Sequence, residues 1–215
     1  MNAQQAIHEY HRIRIHRAMD AFRRRGFEAT YFGNSAEAVE HFFSEVTSHN
    51  IIGYGGSDTV SQLGIRRRLA EGDFHFLDRS KFDHSYDGQL DIRRETLSAD
   101  VFVTSSNAVS IDGALINIDG DGNRIAGLSL GPKRVYLFLG RNKLTENVDR
   151  AMIRARNVAS PMLAIQLGLD TPCAKTGQCH DCAVPDRICN NFSIIERCNP
   201  PGRIRLLFIN EDLGL

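Results

Sequence analysis

The chain lacks a net charge: 26 Lys and Arg residues balance 26 Asp and Glu residues. A protein that grips polyanions needs a broad basic surface, so no nucleic-acid partner is expected. Long apolar runs are missing too, and no stretch reaches the length of a bilayer span. The opening residues, MNAQQAIHEYHRIRIHRAM, hold no apolar core ahead of a small-residue cleavage site, so they do not read as a secretory signal. A cytoplasmic location with reduced thiols is the expectation. No Gly-Lys-Ser/Thr follows the glycine-rich loop, and its glycines lack the GxGxxG spacing of dinucleotide sites. No serine has a convincing base, and cysteine is absent until residue 173, so no nucleophilic triad can be assembled.

What is present fits a soluble globular protein. The 215 residues are 42% apolar and 24% charged, enough for one large domain or two small ones. Residues 4–25 read as a helix that Gly26 stops, and residues 27–32 as a first strand. Asn34 and Glu37 have capping-box spacing ahead of a helix over 38–46. Further strands are expected over 50–54, 74–77, 101–104 and 202–210, and helices over 60–69, 92–97 within the polar stretch 83–99, 144–156 and 162–167. Thr145 is the expected cap of the 144–156 helix, and Ser160-Pro161 its end. The runs at Arg23–Arg25 and Arg66–Arg68 read as solvated helix faces rather than phosphate grips. The order of elements implies an α/β fold: an open, largely parallel sheet with an antiparallel hairpin extension.

The stretch 107–143 is the densest in turn and polar residues. Segments 114–118 and 124–128 read as hairpin strands joined by Asp119-Gly120-Asp121-Gly122, and residues 134–139 as a buried strand. Earlier in the chain, a strand, the loop Gly55-Gly56-Ser57 and a helix follow one another. Backbone N–H groups at such a loop can hold an anion, while the bland alternative is a tight turn with Ser57 or Asp58 as the cap. If the loop binds, Asn107, Asp112 and Asn123 orient the ligand, and the Asp112–Gly113 turn shares the pocket. Lys133 or Lys143 then supplies positive charge to a developing oxyanion. Asp112 is the candidate general base.

All five cysteines follow residue 172. Cys173, Cys179, Cys182 and Cys189 lie within seventeen residues, with CxxC spacing at Cys179 and Cys182. Thiolates so spaced can share zinc or an iron–sulfur cluster. A reversible Cys179–Cys182 disulfide and a loop of free thiols are the alternatives. Cys198 falls outside the set, and His180 reads as a bystander.

Three motifs, GYGGSDTVSQLG (53–64), SSNAVSIDGALINIDGDGNRIAGLSLGPKRVYLFLGRNKL (105–144) and CAKTGQCHDC followed by RIC, together resemble the LUD domain family, named for lactate utilization. The resemblance runs from about residue 25 to residue 215. It implies a fold similar to ribose-5-phosphate isomerase, glucosamine-6-phosphate deaminase and the CoA transferases, with a ligand site at the glycine loop. With the N-terminal helix read from the residues assigned to 1–25, the resemblance implies a single domain over 26–215. The implied function is as an accessory or subunit of a redox system that oxidises small hydroxy acids such as lactate to pyruvate, with a small anionic metabolite as ligand and iron–sulfur proteins as partners. The alternative is an independent enzyme or sensor for a phosphorylated or CoA-linked molecule.

Overall fold

The computed structural model describes residues 1–78 and 86–215. Helix α1 (Ala3–Arg24) opens with a capping box, in which the Asn2 side chain accepts from the Gln5 N–H and the Gln5 side chain accepts from the Asn2 N–H. Past its end, Gly26 takes the left-handed conformation (φ 83°) that closes helices. Its second half enters the core through Ile15, Ala18, Met19 and Phe22, while Ile7, Tyr10 and Ile13 stay exposed. That split explains why no single apolar stripe runs the length of the helix.

Strand β1 (Glu28–Phe32), helix α2 (Ser35–Glu45) and strand β2 (Ile51–Tyr54) follow. Asn34 caps α2 through the Glu37 N–H, but the Glu37 carboxylate reaches back to the Gly33 N–H (3.1 Å) rather than to that of Asn34. The helix expected over 60–69 is two short ones, α3 (Asp58–Gln62) and α4 (Ile65–Glu71), because Gly64 between them is left-handed (φ 70°). Strand β3 (His75–Phe76), helix α5 (Tyr86–Thr96) and strand β4 (Val101–Thr104) come next. Of the polar stretch 83–99, residues 83–85 lie outside the described residues.

The hairpin sits one element earlier than expected. Strands β5 (Ala108–Ser110) and β6 (Leu115–Asp119) pair antiparallel about a turn in which Gly113 is left-handed (φ 91°). Residues 124–128 belong to helix α6 (Asn123–Ser129), not to a strand. Asp119 decides this: its carboxylate accepts from the Ile125 N–H (2.7 Å) and from Arg124, which satisfies a free donor of a helix start. Strand β7 (Arg134–Gly140) is buried along its length.

A 3₁₀ turn (Arg141–Lys143) and strand β8 (Leu144–Thr145) precede helix α7 (Val148–Arg154). Asn147, not Thr145, is the cap, accepting from the Arg150 N–H at 2.9 Å. No break occurs at Ser160-Pro161. Instead α7 runs through a π-helical segment (Ala155–Ala159) into α8 (Ser160–Gln166). Pro161 is tolerated there because it lies in the first turn after the widened one. The Ser160 hydroxyl donates to the Ala155 carbonyl at 2.9 Å. Helix α9 (Pro172–Thr176) and strands β9 (Asn191–Ile195) and β10 (Ile204–Ile209) complete the chain.

The main sheet is parallel throughout, in the order β1-β10-β7-β4-β2-β3. Its strands alternate between two cores. Val135, Leu137 and Leu139 of β7 face α1, while Tyr136 and Phe138 face α2, α3 and α4. Burial on both faces is why these strands are nearly continuous apolar runs. The hairpin belongs to a second, mixed sheet ordered β8-β5-β6-β9, which packs on α7. Strands β2 and β4 are neighbours, and the loops leaving their C-terminal ends meet, which is the usual place for a ligand in an open α/β sheet. Among the described residues no helix is long and apolar enough to cross a membrane.

Candidate functional site

A cavity of about 420 Å³ lies where those loops meet. Gly55, Gly56 and Ser57 form one wall, and Ser105, Ser106 and Asn107 another. Gly55 has no room for a side chain, since a Cβ there would sit 2.5 Å from Phe102 Cζ and 2.9 Å from Thr104 Oγ1. Gly56 is left-handed (φ 70°), and its N–H has no partner among the described residues. Ser57 is tied down: its N–H donates to the Tyr54 hydroxyl (2.7 Å) and its own hydroxyl caps α3 through the Val60 N–H (3.3 Å). The expected cap at Ser57 is present.

Lys143 enters the same cavity from the 3₁₀ turn and is only 3% exposed. Its Nζ donates to the Leu215 main-chain oxygen at 2.7 Å. Burial pushes its pKa down to about 7; the nearby Arg154 and Arg124 guanidiniums add to the fall and Asp58 opposes it. Arg124 is buried and clamped, donating to Asp119 (2.9 and 2.7 Å), to the Ser105 and Ile118 carbonyls, and to Asn107 Oδ1. Asn107 Oδ1 also accepts from the Ile118 N–H (2.9 Å), so only its amide NH₂ is left for a ligand. Arg154 fixes the backbone beneath, donating to the Asn142 carbonyl at 2.8 Å and to that of Asn107. Asn123, at the start of α6, completes this wall.

Two expected residues lie elsewhere. Asp112 is exposed on the β5–β6 turn and does not line the cavity. That turn, with Gly113, packs against α1, where a Cβ on Gly113 would meet the Ala21 backbone at 3.0 Å. Lys133 precedes β7, at the opposite end of the sheet. Its side chain is 82% exposed and pairs with Asp100 at 3.0 Å. Neither residue lines the glycine-loop cavity. Two unexpected cations line the cavity instead: Arg66, paired with Asp78 (3.0 Å), and Arg93, paired with Asp121 (2.6 Å). Three consecutive arginines on α4 point three ways, and Arg66, still 40% exposed, borders the cavity. For Arg93 no local signal exists, since α5 comes to this wall only through the fold.

The cysteines form a second, smaller cavity of about 30 Å³. Cys173, Cys179, Cys182 and Cys189 all line it, with Arg156 and Arg187. All four thiols are free and half-buried. Cys198 is apart and buried; its thiol donates to the Pro200 carbonyl (3.2 Å) and accepts from the Ile204 N–H (3.3 Å). His180 Nε2 lies 2.8 Å from the Thr176 hydroxyl. Among the described residues no three His, Cys, Asp or Glu side chains are placed to share one metal ion. Burial pushes the Cys189 thiol up, and the neighbouring Ser160 hydroxyl opposes the rise. Ser160 and Ile188 line both cavities, so the two share a wall.

The LUD domain family model matches residues 15–209. A DUF162-family protein from Deinococcus radiodurans, known from a crystal structure, is similar in fold with a TM-score of 0.54. The two are 12% identical, and the match covers 93% of this chain and 98% of the other. No curated protein sequence matches the chain. The match spans nearly the whole chain, including the glycine loop and the wall from Ser105 to Arg124, and the chain belongs to the LUD domain family, which is associated in general with lactate utilization.

Proposed function

We propose that the chain binds a small hydroxy or oxo acid in the glycine-loop cavity, as a subunit of a redox system that oxidises lactate-type acids. The observation that carries this is Lys143, a buried amine with no Asp or Glu ion-pair partner among the described residues, in the cavity that Gly56 also lines. The other cations of the wall are already paired: Arg124 with Asp119, Arg66 with Asp78 and Arg93 with Asp121. An incoming carboxylate would therefore pair with Lys143, take the Gly56 N–H, and find the Asn107 amide and Asn123 at its hydroxyl end. Oxidation of such an acid releases an electron pair and protons, and iron–sulfur partner proteins are the proposed acceptors.

The cavity volume favours a second reading. About 420 Å³ exceeds what lactate needs and lies in the range of larger ligands, which suits a phosphorylated or CoA-linked acid. One experiment separates the two. Thermal unfolding is followed with lactate, pyruvate, a sugar phosphate and CoA, on the wild type and on Lys143→Met. Stabilisation by lactate or pyruvate that Lys143→Met abolishes supports the first reading. Stabilisation by the phosphate or CoA alone supports the second. No stabilisation by any of them overturns both.

A further inference from the structure

We infer that Cys173, Cys179, Cys182 and Cys189 hold an iron–sulfur cluster against the wall of the glycine-loop cavity. The four thiols come from separate points of a seventeen-residue segment, yet all face one small space, while the fifth cysteine is buried elsewhere. A single zinc ion draws its thiolates to about 2.3 Å from one point. No three side chains among the described residues meet that demand. A cluster has different needs. Its ligands surround a body of iron and sulfide, so the thiolates stand apart and face a common void. Four cysteines lining one cavity supply the ligand set such a cluster takes.

The backbone around the cavity is braced as a ligand loop must be. Asp181 takes a left-handed conformation (φ 45°), and its N–H donates to the Cys179 sulfur at 3.5 Å, turning the chain so that Cys182 returns to the cavity. Arg187 donates to the carbonyls of both Cys182 and Cys189, fastening the two ends of the loop to each other. Bonds to the sulfurs and fixed outer contacts are what hold and tune such ligands. Charge agrees as well. A cluster bearing four thiolates is anionic, and the two cations on this wall are Arg156 and Arg187. Their carboxylate partner in this region, Asp181, is shared between them (3.9 and 3.2 Å), which leaves the pair with a net positive balance for the cluster.

The test needs no metabolite, so it stands apart from the proposed function. The full chain is purified without oxygen and reconstituted with ferric iron and sulfide under a thiol reductant, which reduces part of the iron. Iron, acid-labile sulfide and zinc are measured, with visible absorption and low-temperature electron paramagnetic resonance after reduction. The expected result is iron and labile sulfide in equal amounts, visible charge-transfer bands and a signal on reduction. Cys182→Ser and Cys189→Ser should lose iron and sulfide together, and Cys198→Ser should keep both, since serine can make the same two hydrogen bonds as Cys198. Alkylation of the reconstituted wild type, read by mass spectrometry, guards against variants that fail to fold: Cys173, Cys179, Cys182 and Cys189 should be shielded as a set and exposed together once iron is stripped. Zinc without sulfide, iron without sulfide, a disulfide among the four, or equal alkylation with and without iron each overturns the inference.

Discussion

Lys143 donates to the Leu215 main-chain oxygen across 2.7 Å, and no Asp or Glu side chain forms an ion pair with it among the described residues. Its pKa falls to about 7 through burial, below the value in an unfolded chain. The unfolded chain therefore binds more protons between about pH 7 and the usual lysine range. Stability from this group rises with pH across that window, and the penalty is fully present below it. Urea unfolding should show the wild type gaining stability above pH 7 relative to Lys143→Met, and a flat difference below. A flat difference throughout would mean that Lys143 is solvated in the fold, and the reverse slope that it is charged and paired there.

Ligand binding should carry the opposite pH dependence. An anion paired with Lys143 raises its pKa, so binding takes up a proton above about pH 7 and affinity falls as pH rises. Titration calorimetry with pyruvate in buffers of different ionisation heats measures that proton directly. Proton release, or none at pH 8, counts against pairing with Lys143.

Asp119→Asn should cost about 3–5 kcal/mol, because it leaves the buried Arg124 guanidinium without its charge partner. It also removes the strong acceptor that holds the Ile125 N–H and starts α6. Chemical denaturation gives the magnitude; a loss under 1 kcal/mol would mean water reaches Arg124.

Gly56→Val places a branched side chain at φ 70°, a strain of about 1–2 kcal/mol confined to the loop. The fold should persist, as seen by circular dichroism, while ligand-induced stabilisation disappears. Unchanged stabilisation would move the site away from the loop.

Asp112→Asn and Lys133→Met should leave ligand stabilisation as it is in the wild type. Asp112 sits on a turn packed against α1, and Lys133 pairs with Asp100 at the far end of the sheet. A loss of binding in either variant would contradict the placement of the cavity.

Residues whose role is set by near neighbours were legible in the sequence. The run from Arg134 to Leu139 reads as a buried strand because burial on both faces removes polar alternation. The Gly55–Ser57 loop is legible because strand, glycines and helix follow one another. The segment after Asp119 misleads because Asp-Gly-Asp-Gly is equally suited to a hairpin turn and to a helix start. The choice rests on Arg124 meeting Asp119 and Asn107, seventeen residues apart in the last case. Asp112 and Lys133 show the limit of proximity in sequence: both lie in the same polar stretch as Asn107 and Asn123, but the hairpin and the strand carry them away from the cavity. Arg66 and Arg93 come to it from helices whose angle only the packed sheet determines.

The π-helical segment (Ala155–Ala159) sets the phase between two halves of one rod. On its near side Arg154 points to the floor of the larger cavity, and Arg156 within it lies 4.7 Å over the Phe192 ring, beside the cysteines. On its far side Ala159, Ser160, Leu163 and Leu167 form cavity wall. Winding the same residues as a regular α-helix would rotate α8 by about 100° against α7. The shared wall would then turn away from both chambers at once. The two cavities are coupled by geometry, so a change that retunes this one turn alters the metabolite chamber and the thiol chamber together, and neither can be reshaped there alone.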